Sequence, residues 1–256
     1  MGFQNIIFKV EDKVARILIN RPPANIVDLA VLREMLAAME SLEGRGDVKV
    51  LLLSAVGEKA FSTGVSVQDH LPDKVAEMIP LFGRAMRAAN HLDIPVVAAV
   101  KGYCLGGGCE LAVMCDLVLA AESARIGQPE ITLGDYAPIG VATYARILGP
   151  KKAFELLLLG ETLTAARAKE LGLVNFVVPD ESFEAEVEAL LQKLTGMSLV
   201  SLKASKRAIY MGMDMGFNEA LTMAEYIYLN VLAKSHDGME GLTAFLEKRK
   251  PVWKDE

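Results

Sequence analysis

Two short apolar runs open the chain. Ile6-Ile7-Phe8-Lys9-Val10 and Val14-Ala15-Arg16-Ile17-Leu18-Ile19 are rich in β-branched residues and are separated by Glu11-Asp12-Lys13, which predicts two strands joined by a hairpin turn. Pro22-Pro23 stops the second strand and sends an extended loop through Asn25. From Asp28 to Leu42 the residues Leu29, Leu32, Leu36, Met39 and Leu42 recur at helical spacing, so an amphipathic helix is expected with Asp28 as its N-cap. Lys49–Ala55 then reads as a buried strand. A helix is expected over 72–92, with Val75, Met78, Ile79, Phe82, Met86 and Ala89 on one side and a break at Pro80, because proline removes a helix hydrogen bond.

Ile94–Val100 is a further apolar strand that leads to Gly106-Gly107-Gly108. Cys109–Cys115 has helical composition, Leu117–Ala121 reads as a short strand, and Lys151–Gly160 and Ala165–Leu171 as helices. From about Glu181 the pattern is helical, with Leu190, Leu191, Leu194, Leu199, Leu202, Ile209, Leu221, Ile227 and Leu232 supplying more apolar surface than a solvated appendage carries. Strands alternating with helices give an α/β core. The boundary falls near Pro179, so 1–180 is expected to form that core and 181–256 a packed helical region.

Composition narrows the function classes. The chain has 256 residues, 52% of them apolar, which is enough to bury a core without disulfides. Lys plus Arg number 27 against 33 Asp plus Glu, and a net charge of −6 argues against a general nucleic-acid binder, which depends on a basic surface to displace counterions. Any polyanionic ligand must meet a local basic patch. Cys104, Cys109 and Cys115 are odd in number and fit no metal or disulfide spacing, so a reducing, cytoplasmic setting is expected. No apolar run approaches the roughly 18 residues of a membrane span, and the first residues lack the pattern of a secretory leader.

Two cofactor patterns are absent, since neither G-x-G-x-x-G nor G-x-x-x-x-G-K-[ST] occurs. The triple glycine therefore serves another purpose. Strand, glycine turn and helix in that order leave the amides of Gly107 and Gly108 at a helix start, where partial positive charge favours a developing anion; a tight turn alone is the other reading. Glu110 sits in the first turn of that helix and Glu130 follows in Gln128-Pro129-Glu130, both beside apolar sequence. A carboxylate at a helix start and an exposed turn residue account for them equally at this point. Partial burial of such a pair is also what general acid and base catalysis needs.

These residues, with Asn20-Arg21-Pro22, AFSTG at 60–64, IPVVAAVKGYCLGGGCELAVMCD at 94–116, IGQPEITLG at 126–134 and TLTAARAKELGLVNFVVP at 162–179, resemble the crotonase family of enoyl-CoA hydratases and isomerases over the full length. The resemblance implies a spiral of repeated β-β-α units with a C-terminal helical trimerisation region. It implies an oxyanion hole at the amides of Val65 and Gly107, and Glu110 and Glu130 as the acid/base pair of a hydro-lyase. Glu110 would deprotonate the water and Glu130 exchange a proton with carbon. Pro23, Ala24, Gly64, Val67, Gly106, Pro129 and Pro138 match substrate-binding positions.

The substrate would be an acyl-CoA thioester, with no separate cofactor and no metal, bound by a homotrimer or dimer of trimers. Within the family, NRPPANIVDLA and AFSTGVSVQDH look most like the hydratases of cyclic dienoyl-CoA in anaerobic aromatic degradation. A short-chain enoyl-CoA hydratase and a Δ3,Δ2-enoyl-CoA isomerase are the alternatives, and an RNA-binding member is disfavoured by the acidic balance. A protease on the related spiral is disfavoured because no Ser and His occupy the glutamate positions. Gly134-Asp135-Tyr136-Ala137-Pro138-Ile139-Gly140 replaces the glycine-rich loop of straight-chain hydratases. Asp135 is read as a turn residue in preference to a third carboxylate near the acyl group, and His70, beside the expected acyl pocket, as a surface or helix-end residue in preference to a catalyst. Lys59, Lys101, Lys248 and Lys250 are the candidate contacts for the CoA phosphates.

Overall fold

A computed structural model describes residues 2–256. The predicted hairpin forms from β1 (Ile6–Glu11) and β2 (Val14–Ile19), paired antiparallel. α1 (Leu29–Glu40) follows, its first turn capped by the Asp28 carboxylate, which accepts from the Val31 amide at 2.9 Å.

The chain then repeats a unit of two strands and a helix. The first turn is β3 (Val50–Ala55), β4 (Ala60–Ser62) and α2 (Val75–His91); the second is β5 (Val96–Val100), β6 (Tyr103–Leu105) and α3 (Gly107–Val113). The third is β7 (Leu117–Ala121), β8 (Arg125–Gly127) and α4 (Pro138–Leu148). After it come α5 (Pro150–Leu159), β9 (Thr162–Thr164), α6 (Ala165–Leu171) and β10 (Phe176–Val178). Four helices finish the chain: α7 (Phe183–Thr195), α8 (Leu199–Gly212), α9 (Phe217–Asn230) and α10 (His236–Leu246).

The first strand of each unit joins a six-stranded sheet in the order β1-β2-β3-β5-β7-β10, and the second joins a four-stranded sheet in the order β4-β6-β8-β9. Alternation of side chains along the strands then builds two cores. Ile17, Leu51, Leu53, Ala98, Val100 and Ala120 face the helices inside the spiral, while Val14, Val50, Leu52, Val97, Ala99 and Leu119 face Phe183, Val187 and Leu191 of α7. Burial on both faces explains the unbroken Val96–Val100 run.

Two expectations are corrected. Pro80 does not split α2, which runs unbroken from Val75 to His91. Its ring lies on the exposed side, as does Ala76, whose carbonyl lost its amide partner and faces solvent. The stretch after Gly134 is not all loop, because Pro138 starts α4, where a first-turn proline sacrifices no hydrogen bond. No helix among the described residues is long and apolar enough to cross a membrane.

Candidate active site

The small sheet gathers the chemistry. β4, β6 and β8 run parallel side by side, with Ser62 beside Cys104 and Leu105 beside Gly127. The chain leaving each strand's C-terminal end therefore emerges at one place: Gly64 and Val65 after β4, Gly106, Gly107 and Glu110 after β6, and Pro129 and Glu130 after β8. A cavity of about 220 Å³ opens there, lined by these residues together with Val67, His70, Met78, Phe82, Leu133, Asp135, Tyr136 and Pro138. Ligands commonly settle beyond the carboxyl ends of parallel strands for this reason.

Backbone pairing determines which amides face the cavity. Val27 bridges Val65 in parallel, and the two bonds of that bridge use the Gly64 carbonyl and the Ser66 amide, so the Val65 amide turns the other way. Gly107 begins α3, where an amide has no partner within the helix. Neither amide is spent elsewhere among the described residues. Close approach demands the glycines. A Cβ on Gly107 would fall 2.5 Å from Val65 Cγ2, and Gly106 holds a left-handed φ of 54° with Glu130 Oε1 3.1 Å from where its Cβ would stand.

Glu110 is 2% exposed. Its Oε1 accepts from the amides of Ile139 and Gly140 at 2.8 and 2.9 Å, the start of α4, and no cation among the described residues pairs with it. Burial pushes its carboxyl up to about 7; the Gly140 amide opposes this, the neighbouring Glu130 and Asp135 add to it, and the Ile139 amide opposes it. Glu130 is half-buried on the 3-10 turn Pro129–Leu133, and burial raises its carboxyl above the ordinary value as well. With Glu130 ionised, its negative charge makes the Glu110 proton harder to remove.

Gln128 was not singled out by sequence and is buried behind Glu130. With its amide oxygen accepting from the Tyr144 hydroxyl at 2.5 Å, its nitrogen reaches Glu130 Oε1 and Oε2 at 3.0 and 3.1 Å and the Gly106 carbonyl at 3.1 Å. The opposite orientation would set an amide oxygen against a carboxylate, two acceptors with no hydrogen between them. The clue in sequence was a polar residue between β-strand and proline, flanked by Ile126 and Ile131.

The structure brings Glu110, Glu130, Val65, Gly107, Gly64, Val67, Gly106, Pro129 and Pro138 to one cavity. Pro23 and Ala24 do not line it; Ala24 stands one contact away, its carbonyl accepting from the Thr63 amide at 3.0 Å. His70 ends the 3-10 turn Val67–His70 and Asp135 is exposed directly after the turn at Gly134, as read from sequence, and both also line the cavity, with His70 Nε2 3.8 Å from Asp135 Oδ2. Loop sequence alone cannot say which way such side chains turn. Lys101 is committed to Glu58 at 2.5 Å and to the Phe183 ring, whereas Lys59, Lys248 and Lys250 are exposed. All three cysteines are free and buried.

Comparisons with known proteins agree with this geometry. The sequence profile described as enoyl-CoA hydratase/isomerase matches residues 9–256. A crotonyl-CoA hydratase of Syntrophomonas wolfei is 34% identical over 255 residues, 98% of each chain. A cyclohexa-1,5-dienecarbonyl-CoA hydratase of Thauera aromatica is 34% identical over 245 residues, 96% of this chain and 94% of that one. The crystal structure of an enoyl-CoA hydratase from Bacillus anthracis superposes with a TM-score of 0.94 at 33% identity, covering 99% of this chain and 100% of that one. With the β-β-α spiral, the paired glutamates and these matches in hand, the chain belongs to the enoyl-CoA hydratase/isomerase family, the crotonases, as an enzyme of the hydratase type.

Proposed function

We propose that the protein adds water across the double bond of an α,β-unsaturated acyl-CoA thioester, with a cyclic dienoyl-CoA as its acyl substrate. The observation that carries this reading is the convergence of two carboxylates and two unspent amides on one cavity. The thioester carbonyl sits between the amides of Val65 and Gly107, which stabilise the enolate that forms as water adds; donors of this kind contribute about 3–4 kcal/mol each. Glu110, oriented by the α4 amides, deprotonates the water, and Glu130 delivers a proton to carbon. A carboxyl near 7 suits that task, because a base is most effective when its pKa lies near the working pH.

An isomerase needs only one such carboxylate, so the pair favours hydration. The cyclic substrate is supported by the likeness to the Thauera aromatica relative and by the wall Leu133, Asp135, Tyr136 and Pro138, which stands where a smaller glycine-rich loop would leave room for a straight chain. A short linear enoyl-CoA is the second reading, favoured by the equal identity to the crotonyl-CoA hydratase. Turnover of crotonyl-CoA against cyclic mono- and dienoyl-CoA decides between them: a cyclic preference supports the first, and crotonyl-CoA as the best substrate replaces it with the second.

The same reading makes 1–180 the catalytic core and 181–256 the oligomerising region, in a cytoplasmic homotrimer or dimer of trimers. Phe217, Tyr226 and Leu229 of α9 and Phe245 and Leu246 of α10 are well exposed, more apolar surface than a lone chain usually leaves in water. Light scattering tests it, and a strict monomer would count against it.

A further inference from the structure

The cavity holds a third carboxylate and a histidine that the proposed proton transfer does not use. Asp135 leaves the left-handed turn at Gly134, and its amide closes on the Glu130 carbonyl at 3.1 Å, so both carboxylates are fastened to one turn. Its side chain accepts from the Tyr136 amide at 2.8 Å. His70 reaches in from the 3-10 turn Val67–His70, with Nδ1 2.9 Å from the Ser66 carbonyl. A carbonyl only accepts, so Nδ1 carries the hydrogen and Nε2 is the nitrogen that faces Asp135 Oδ2, at 3.8 Å. That separation is too long for a direct hydrogen bond but short for an electrostatic interaction.

We infer that Asp135 and His70 are opposed positioning residues acting on Glu130, the Asp135 anion favouring the protonated Glu130 and the His70 imidazolium favouring release of that proton. The inference rests on the proposed role of Glu130 as proton carrier. Glu130 shares the cavity with Glu110 from α3, Asp135 and Tyr136 from the loop before α4 and His70 from the turn after β4, and is contacted by Gln128 with Tyr144 behind it. The two carboxylates favour the protonated form, and His70 opposes them when its Nε2 also carries a proton. Burial is the largest influence raising the Glu130 carboxyl, its own backbone amide lowers it, Asp135 raises it and His70 lowers it. Reversible hydration needs a group that holds a proton in one half of the cycle and yields it in the other, so an opposed pair beside it is functionally apt.

Asp135→Asn keeps an oxygen for the Tyr136 amide, and His70→Asn keeps a donor for the Ser66 carbonyl. Difference infrared spectroscopy reads the carboxyl C=O band of Glu130, identified as the band that Glu130→Gln removes, and needs no turnover. Its midpoint should move to lower pH in D135N and to higher pH in H70N, each changing the ratio of protonated to ionised Glu130 about threefold at the wild-type midpoint. The acid limb of kcat/KM should shift in the same two directions. Should either variant fail to fold, D135A or H70Q replaces it.

Midpoints that stay put, or that move in the same direction, overturn the inference, since a merely structural role predicts no opposition. A wild type that hydrates no acyl-CoA but shows the opposed shifts loses the hydration reading and keeps this one. Hydration with unmoved midpoints does the reverse.

Discussion

A buried carboxylate, Glu110, and a half-buried one, Asp116, stand at the two ends of α3, and their surroundings differ. Asp116, just after the helix, accepts from the Val96 amide at 2.6 Å and the Tyr210 hydroxyl at 2.8 Å, and Lys206 lies 2.8 Å from it. Lys206 is itself fastened to the Ile94 carbonyl at 3.0 Å. Glu110, in the first turn, has two backbone amides and no cation. One charge is fully matched and ties α8 to the sheet; the other is left hungry for a proton and faces a cavity. Matching a buried charge makes structure, and withholding the match makes a titratable group at neutral pH.

The largest effect that can break this contrast is chemical. Glu110→Gln and Glu130→Gln keep volume and remove the proton-transfer function, so hydration turnover should fall about 10²- to 10⁴-fold while acyl-CoA still binds, as steady-state kinetics and calorimetry would show. Near-normal turnover in both would leave Glu110 no different from Asp116. The matched end should respond in stability instead. Lys206→Met leaves the half-buried Asp116 without its cation and should cost about 2–3 kcal/mol in denaturant unfolding, with kcat per folded molecule unchanged.

A third prediction concerns pH. The folded Glu110 carboxyl titrates at about 7 against an ordinary 4.5, so between those values the folded chain holds a proton the unfolded chain has lost. Stability should therefore fall as pH rises through this window, by something on the order of 3 kcal/mol. Glu110→Gln should flatten that slope and be the more stable protein at pH 8, a gain that comes with lost activity. Unfolding curves at pH 5 and pH 8 measure it, and an unchanged slope in the variant would mean that Glu110 is matched after all. The smallest effect belongs to Gln128: replacing it by Met frees Glu130 of its amide donor and should lower kcat about tenfold, the scale of one hydrogen bond to a charged group.

Legibility in sequence followed the same division. β1, β2, α1, β3, β5 and the C-terminal helices were readable because each is long enough to show its period and buries a face. β4, β6, β8, β9 and β10 are three residues each, too short for any period, and exist because a neighbour lies alongside in register. The site hangs on three of them, so its parts were visible and its assembly was not. Glu110 and Glu130 stood out through their glycine and proline neighbours and the resemblance those carry. Gln128 did not, and Asp135 and His70 were noticed without being assigned to the site, since their places come from which way the chain turns after each short strand. Pro80 misled because its cost depends on whether the abandoned carbonyl meets water.

The central claim is that Glu110 and Glu130 move protons while water becomes part of the product. Turnover in water labelled with both ¹⁸O and deuterium tests it most directly, with mass spectrometry of the acyl product from wild type, Glu110→Gln and Glu130→Gln. The account predicts one labelled oxygen per wild-type turnover and its near-complete loss in both variants. A product that carries solvent deuterium but no labelled oxygen would contradict it and make the enzyme an isomerase.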